Sequence, residues 1–150
     1  MVDIQTVTER LAALETYLAE LDHYAQYSLR ELASDFVRYR AVERSLQLAA
    51  QAVVDIATHI ISADFNSRVE DYRQAIESLG QEGILSAEFA QRLAPIAGFR
   101  NILVHEYLAV DPVKLYDTLI KGRKNLLRFS QRIVEYLQRT GALKDETTNE

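Results

Sequence analysis

Cysteine is absent from the 150 residues, and with it go disulfides, thiolate zinc sites and cysteine nucleophiles. That absence is compatible with a reducing compartment. Glycine and proline are scarce, at five and two, and none precedes Gly80. A run that long without breakers, rich in Ala, Leu, Glu, Gln and Arg, reads as helical. No stretch approaches the roughly eighteen uncharged apolar residues of a membrane span. The opening M-V-D-I-Q-T also lacks a basic region followed by an apolar one. The expectation is a soluble, cytoplasmic protein. A surplus of positive charge is missing too. At a formal net charge of -5 the chain does not suit a general nucleic-acid-coating role, although a local basic cleft is compatible with that total.

What is present is an ordinary globular composition, 48% hydrophobic and 26% charged, which predicts one domain over 1–143 with a disordered tail over 144–150. From Asp3 to about Tyr24 the residues Ile4, Val7, Leu11, Leu14, Leu18 and Leu21 recur three and four apart, the stripe of an amphipathic helix. A break follows, in which Ser28 and Glu31 suit a capping box. The second helix starts between Ser28 and Asp35 and runs to about Ala63, on the stripe Tyr39, Val42, Leu46, Ala49, Val53, Ile56 and Ile60. Ala49, Ala50 and Ala52 suit close approach of a partner helix. Arg40 and Arg44, and Asp55 and His59, are pairs one turn apart, and solvation or salt bridging is the default for each. Asp55 stands out because Val54 and Ile56 flank it.

Asn66 and Ser67, followed by Glu70, suggest a cap for a third helix through Tyr72, Ile76 and Leu79, ended by Gly80 and Gly83. Ser86 caps a fourth, containing Phe89, Leu93 and Ile96, with a kink expected at Pro95 and Gly98. Asp111-Pro112 opens the last helix, carrying Leu115, Leu119, Leu126, Phe129, Ile133 and Tyr136 to about Gly141. Its basic run, Lys121, Arg123, Lys124, Arg128 and Arg132, reads as a solvated face, and near a phosphate site it would offset the acidic average. The fold class is therefore all-α, an antiparallel bundle of four to five helices.

One stretch concentrates chemistry: F-R-N-I-L-V-H-E-Y, Phe99 to Tyr107, brings together Arg100, His105 and Tyr107. The planar fork of Arg matches phosphate oxygens, and an imidazole both takes and gives a proton near neutral pH. On an ideal helix Arg100 and His105 are about 140° apart, so the helix distorts or ends near His105, or the Arg reaches round, or a second subunit completes the pocket. The plainer alternative is that both are polar residues closing a helix, with His105 favoured by the C-terminal dipole. Three scattered His residues make a poor zinc site, and there is neither a Gly-rich phosphate loop nor a G-x-S-x-G elbow.

R-N-I-L-V-H-E-Y resembles the R-x-x-x-x-H-x-Y signature of the HEPN superfamily, specifically the HepT toxins of HepT/MntA toxin-antitoxin systems. R-A-V-E-R-S-L-Q (Arg40 to Gln47), V-V-D-I-A-T-H-I (Val53 to Ile60) and the V-D-P after the motif are similar to that family as well, so the resemblance covers about Tyr39 to Tyr136. It implies a HEPN-like bundle that dimerises with two motif copies facing one cleft, and a metal-independent endoribonuclease needing no cofactor, with tRNA a plausible target. It implies Arg100 and His105 as catalytic residues and Asn101 as support, with Asp55 as a further supporting residue. It also implies a nucleotidyltransferase antitoxin that silences the site by AMPylation of Tyr107, with a hetero-oligomer larger than the dimer left open. The competing class is a non-catalytic helical adaptor that presents a substrate to the nucleotidyltransferase.

Overall fold

A computed structural model describes residues 2–105 and 110–142. Each helical stretch expected from the periodicity is present there, and no strand occurs among the described residues. Helix α1 (Ile4–Tyr24) begins at Asp3, whose carboxylate accepts from the backbone N–H groups of Gln5 and Thr6. Those bonds, with one donated by the Thr6 hydroxyl, hold the Asp3 carboxyl below its usual range. The Asp3 backbone N–H in turn donates to His59 Nε2 at 3.0 Å, so His59 pins the start of α1 to the last turns of the long helix Phe36–Asp64.

Ser28 and Glu31 do form the reciprocal capping box, but it opens a short helix α2 (Leu29–Ser34). Asp35 then starts the long helix α3 (Phe36–Asp64) by accepting from the N–H groups of Val37 and Arg38. By length and composition alone α3 is apolar enough to cross a membrane, yet 56% of its most apolar window is buried inside the protein. It is the bundle's central post. Helix α1 packs along one side of it, while the later helices α4 and α6 pack along another. Ala49, Ala52 and Ala57 are buried on it, small enough to let those neighbours close in.

Asn66, Ser67 and Glu70 do not cap the next helix. Asn66 takes φ 47° in the loop after α3, a left-handed conformation that Asn tolerates, and Asp71 caps α4 (Tyr72–Gln81) by accepting from the Gln74 N–H. Gly80 lies within α4 rather than ending it. The end comes at Gly83, φ 75°, where the N–H groups of Gly83 and Ile84 return to the carbonyls of Gly80 and Leu79. Gly80 has another reason to lack a side chain: a Cβ there would come within 2.6 Å of Ala90 Cβ on α5 (Ala87–Leu93). We expect Gly80→Ala to cost about 1–3 kcal/mol in overpacking against at most about 1 gained in helix propensity, lowering Tm by several degrees in a circular-dichroism melt. An unchanged or higher Tm would show that α5 yields freely.

Pro95 does more than kink the fourth helix. It separates α5 from a distinct helix α6 (Ile96–Val104). Asp111 and Pro112 open α7 (Pro112–Asp117) as expected, but the last helix is not uniform. A π-helical turn over Thr118–Gly122 divides α7 from α8 (Arg123–Arg139). The Thr118 hydroxyl donates to the Lys114 carbonyl and Gly122 adds backbone freedom, and both loosen the ladder there. Leu126, Phe129, Ile133 and Leu137 bury the inner face of α8, and the Tyr136 hydroxyl donates to Asp64 at 2.6 Å, tying it to the end of α3. That bond and burial push the phenol far above its usual pKa. The residues 144–150 expected to be disordered lie outside the described residues.

Candidate functional site

Helix α6 presents the motif. Ala97, Phe99 and Leu103 bury one side of it, which turns Arg100 toward α3 and leaves Asn101 and His105 exposed. Three neighbours fix the guanidinium of Arg100. Its Nε donates to Gln51 Oε1 at 2.7 Å, its Nη1 donates to Asn101 Oδ1 at 3.0 Å, and its Cζ lies 5.3 Å from the centre of the Tyr72 ring. Of its five N–H donors these bonds engage two, and both hydrogens of Nη2 have no hydrogen-bond partner among the described residues. Guanidinium N–H groups left free in this way donate to the oxygens of a phosphate.

Asp55 belongs to this assembly, at one remove. Gln51 Nε2 donates to Asp55 Oδ1 at 2.8 Å, and the other Asp55 oxygen lies 3.9 Å from Arg10 Nε on α1. Polar links therefore run from α1 through two residues one turn apart on α3 to the Arg on α6. The carboxylate fixes which way round the Gln51 amide sits, and the amide then presents an oxygen to Arg100. Gln51 was not picked out by the sequence pattern, and Tyr72 only as a position on the third helix. The available signal for Gln51 was its position one turn before Asp55, on the same face of α3.

His105 is where α6 stops. Its backbone N–H donates to the Asn101 carbonyl at 3.2 Å, its ψ of 81° leaves the helix, and its side chain is exposed at the helix C-terminus. Of the geometries open from the sequence, termination of the helix at His105 is the one observed. Tyr107 lies outside the described residues. The Val110 carbonyl accepts from the Tyr39 hydroxyl at 2.8 Å, in the first turns of α3. Burial pushes that phenol's pKa up.

Several of the other charged residues noted in the sequence have structural partners. Arg40 pairs with Glu43, Arg123 with Asp22 and Arg132 with Glu135, while Arg128 lies over the Phe89 ring. Exposed pairs of this kind add little stability.

The all-α bundle, with R-x-x-x-x-H closing its sixth helix, is of the HEPN class. Comparison with known proteins agrees: the family described as ribonuclease HepT-like matches residues 14–133. The chain belongs to the HepT-like family of HEPN ribonucleases, a family of RNA-cleaving enzymes. It is 33% identical over 131 residues to the tRNA nuclease HepT of Aphanizomenon flos-aquae, covering 87% of this chain and 89% of that protein. Among solved structures it resembles the cytosolic protein YutE of Bacillus subtilis, with TM-score 0.79 and 24% identity over 93% of each chain. A tri-AMPylated HEPN toxin of Shewanella oneidensis, solved in complex with MNT antitoxin, superimposes with TM-score 0.79 at 21% identity, covering 90% of this chain and 99% of that one.

Proposed function

We propose that this protein is the toxin of a HEPN/nucleotidyltransferase toxin-antitoxin pair, a cytoplasmic, metal-independent endoribonuclease whose catalytic residues are Arg100 and His105. The observation that carries this reading is the fixed guanidinium of Arg100, its Nη2 without a hydrogen-bond partner among the described residues, on the helix that ends in His105. In metal-free cleavage the ribose 2′-hydroxyl attacks the adjacent phosphorus, the bond to the 5′-oxygen breaks, and a cyclic phosphate and a free 5′-hydroxyl result. One proton leaves the 2′-oxygen and one reaches the 5′-oxygen. His105 serves as general acid or base in that exchange. Arg100 binds two non-bridging oxygens and offsets the charge that builds on them. Asn101 steadies the guanidinium, and Asp55 does so through Gln51.

A dimer with two motif copies facing one cleft is part of the proposal, as is a MntA-like nucleotidyltransferase partner. That enzyme would join the Tyr107 phenol to the α-phosphorus of ATP with loss of pyrophosphate, placing a bulky anion where RNA must pass. The test is incubation of the purified protein with total tRNA and with mRNA in EDTA, before and after treatment with the nucleotidyltransferase and ATP. We expect cleavage that EDTA does not stop, with tRNA the first substrate to try because the cyanobacterial relative is a tRNA nuclease. Cleavage should be lost as the mass rises by adenylate units at Tyr107. Absence of cleavage by protein shown to carry no adenylate would favour the adaptor reading instead.

A further inference from the structure

We propose that a groove beside α6 is the track for a single-stranded segment of RNA leading to the His105 end of that helix. The groove, of about 460 Å³, runs between α4, α5 and α6 on one side and the helix formed by α7, the π turn and α8 on the other. This inference rests on the ribonuclease reading and adds the form of the substrate and where it lies.

Two properties of the groove point to an unpaired nucleic-acid strand. Its walls carry Arg73, Arg92, Lys114 and Lys121, with Asp117 as the one carboxylate among the lining residues. In a chain of net charge -5 that is a local inversion of sign. Arg73 and Lys121 are paired with Glu77 and Asp117 at 2.9 and 3.0 Å, but both pairs are exposed, so a phosphate competes for these cations at little cost. Between the walls, Ile96, Phe99 and Ile102 of α6 supply an apolar floor. Cations flanking an apolar surface suit a strand whose bases are free to turn inward, whereas a duplex hides its bases and offers only its backbone.

The direction of the track follows from the same helix. Gly98 and Ile102 are a turn apart on the groove face of α6, and His105 follows Ile102 by three residues, the spacing of the same face. A strand lying on the floor therefore runs toward the end of the helix where His105 stands, with Arg100 turned toward α3 on the face opposite Ile102. The sequence could show the basic run Lys121 to Arg132 but not its division. Only Lys121 of that run lines this groove, with Lys114 one π-containing stretch earlier, while Arg123 and Lys124 line a separate depression with Asp22.

The experiment uses the full chain and a 2′-O-methyl oligoribonucleotide of about ten nucleotides, which lacks the attacking hydroxyl and stays intact. Its affinity is measured over a salt series, single-stranded and annealed to its complement. The proteins compared are the wild type, the Lys114→Ala/Lys121→Ala double variant, and Lys124→Ala as a control outside the groove, with mass in solution determined for each. We expect the single strand to bind more tightly than the duplex. The double variant should bind it about tenfold more weakly, with a log–log salt slope shallower by about 1.4, at unchanged mass, while the control matches wild type. Equal binding by double variant and control, or equal binding of duplex and single strand, overturns the inference. So does a weakened variant whose mass has changed, because the groove would then be a contact between copies. If the wild type cuts RNA while the double variant cuts and binds as well as it does, the track is wrong and the ribonuclease reading stands. If the wild type cuts no RNA, that reading itself fails.

Discussion

His105→Ala is expected to reduce RNA cleavage by roughly 10²–10⁴-fold, the range lost when a positioned general acid or base is removed. The side chain is exposed at the end of α6, so its removal opens no cavity, and the bundle should keep its helical signal and melting temperature. Single-turnover cleavage on a denaturing gel, with circular dichroism on the same sample, separates chemistry from folding. Expression should also cease to inhibit growth. If the folded variant retains wild-type cleavage, His105 is not part of the reaction, and the reading of the motif as catalytic falls.

Arg100→Lys should cost nearly as much, about 10²–10³-fold in the rate of cleavage, although it preserves charge. The reason lies in what Arg100 does at once. Nε is held by Gln51 and Nη1 by Asn101, while Nη2 has no hydrogen-bond partner among the described residues. An ammonium has three donors around a point and no planar fork, so it cannot keep both tethers and still hold free donors in a fixed direction. Gln51→Leu tests the same idea from the other side. It leaves the guanidinium intact but removes one tether, and roughly tenfold slower turnover is expected, in kcat more than in KM, because misplacement taxes the transition state most. Lysine matching arginine at this position would mean that charge alone suffices and the ordered fork is incidental.

Much of this arrangement was legible in the chain, for definite reasons. The stripes of α1 and α3 were readable because seven-residue spacing and an absence of breakers leave a helix little alternative; apart from Ile4 and Tyr39 at the ends, the stripe residues named for those helices are buried. The Asp111-Pro112 start was readable because a cap is local chemistry. The cap of α4 was not, since Asn66, Ser67 and Asp71 are all competent, and the left-handed turn at Asn66 that decides among them depends on where α3 ends. The π turn escaped for a similar reason: Thr118 and Gly122 are common within helices, and only packing on both sides reveals the extra residue. At the site, Arg100 and His105 were conspicuous by type. Gln51 was not, because its contribution appears only when α6 is laid against α3 and an uncharged amide is found between two ions.

That amide has an electrical consequence. Had Asp55 touched Arg100 directly, the two charges at about 4 Å would attract by roughly 4 kcal/mol at an effective dielectric of 20, and an incoming phosphate would have to compete with a resident anion. Gln51 sits between them as an insulating spacer, passing on the aspartate's orientation but not its contact charge. The cation is thus aimed without being quenched. A site built this way keeps its appetite for a phosphate while holding the receiving fork still.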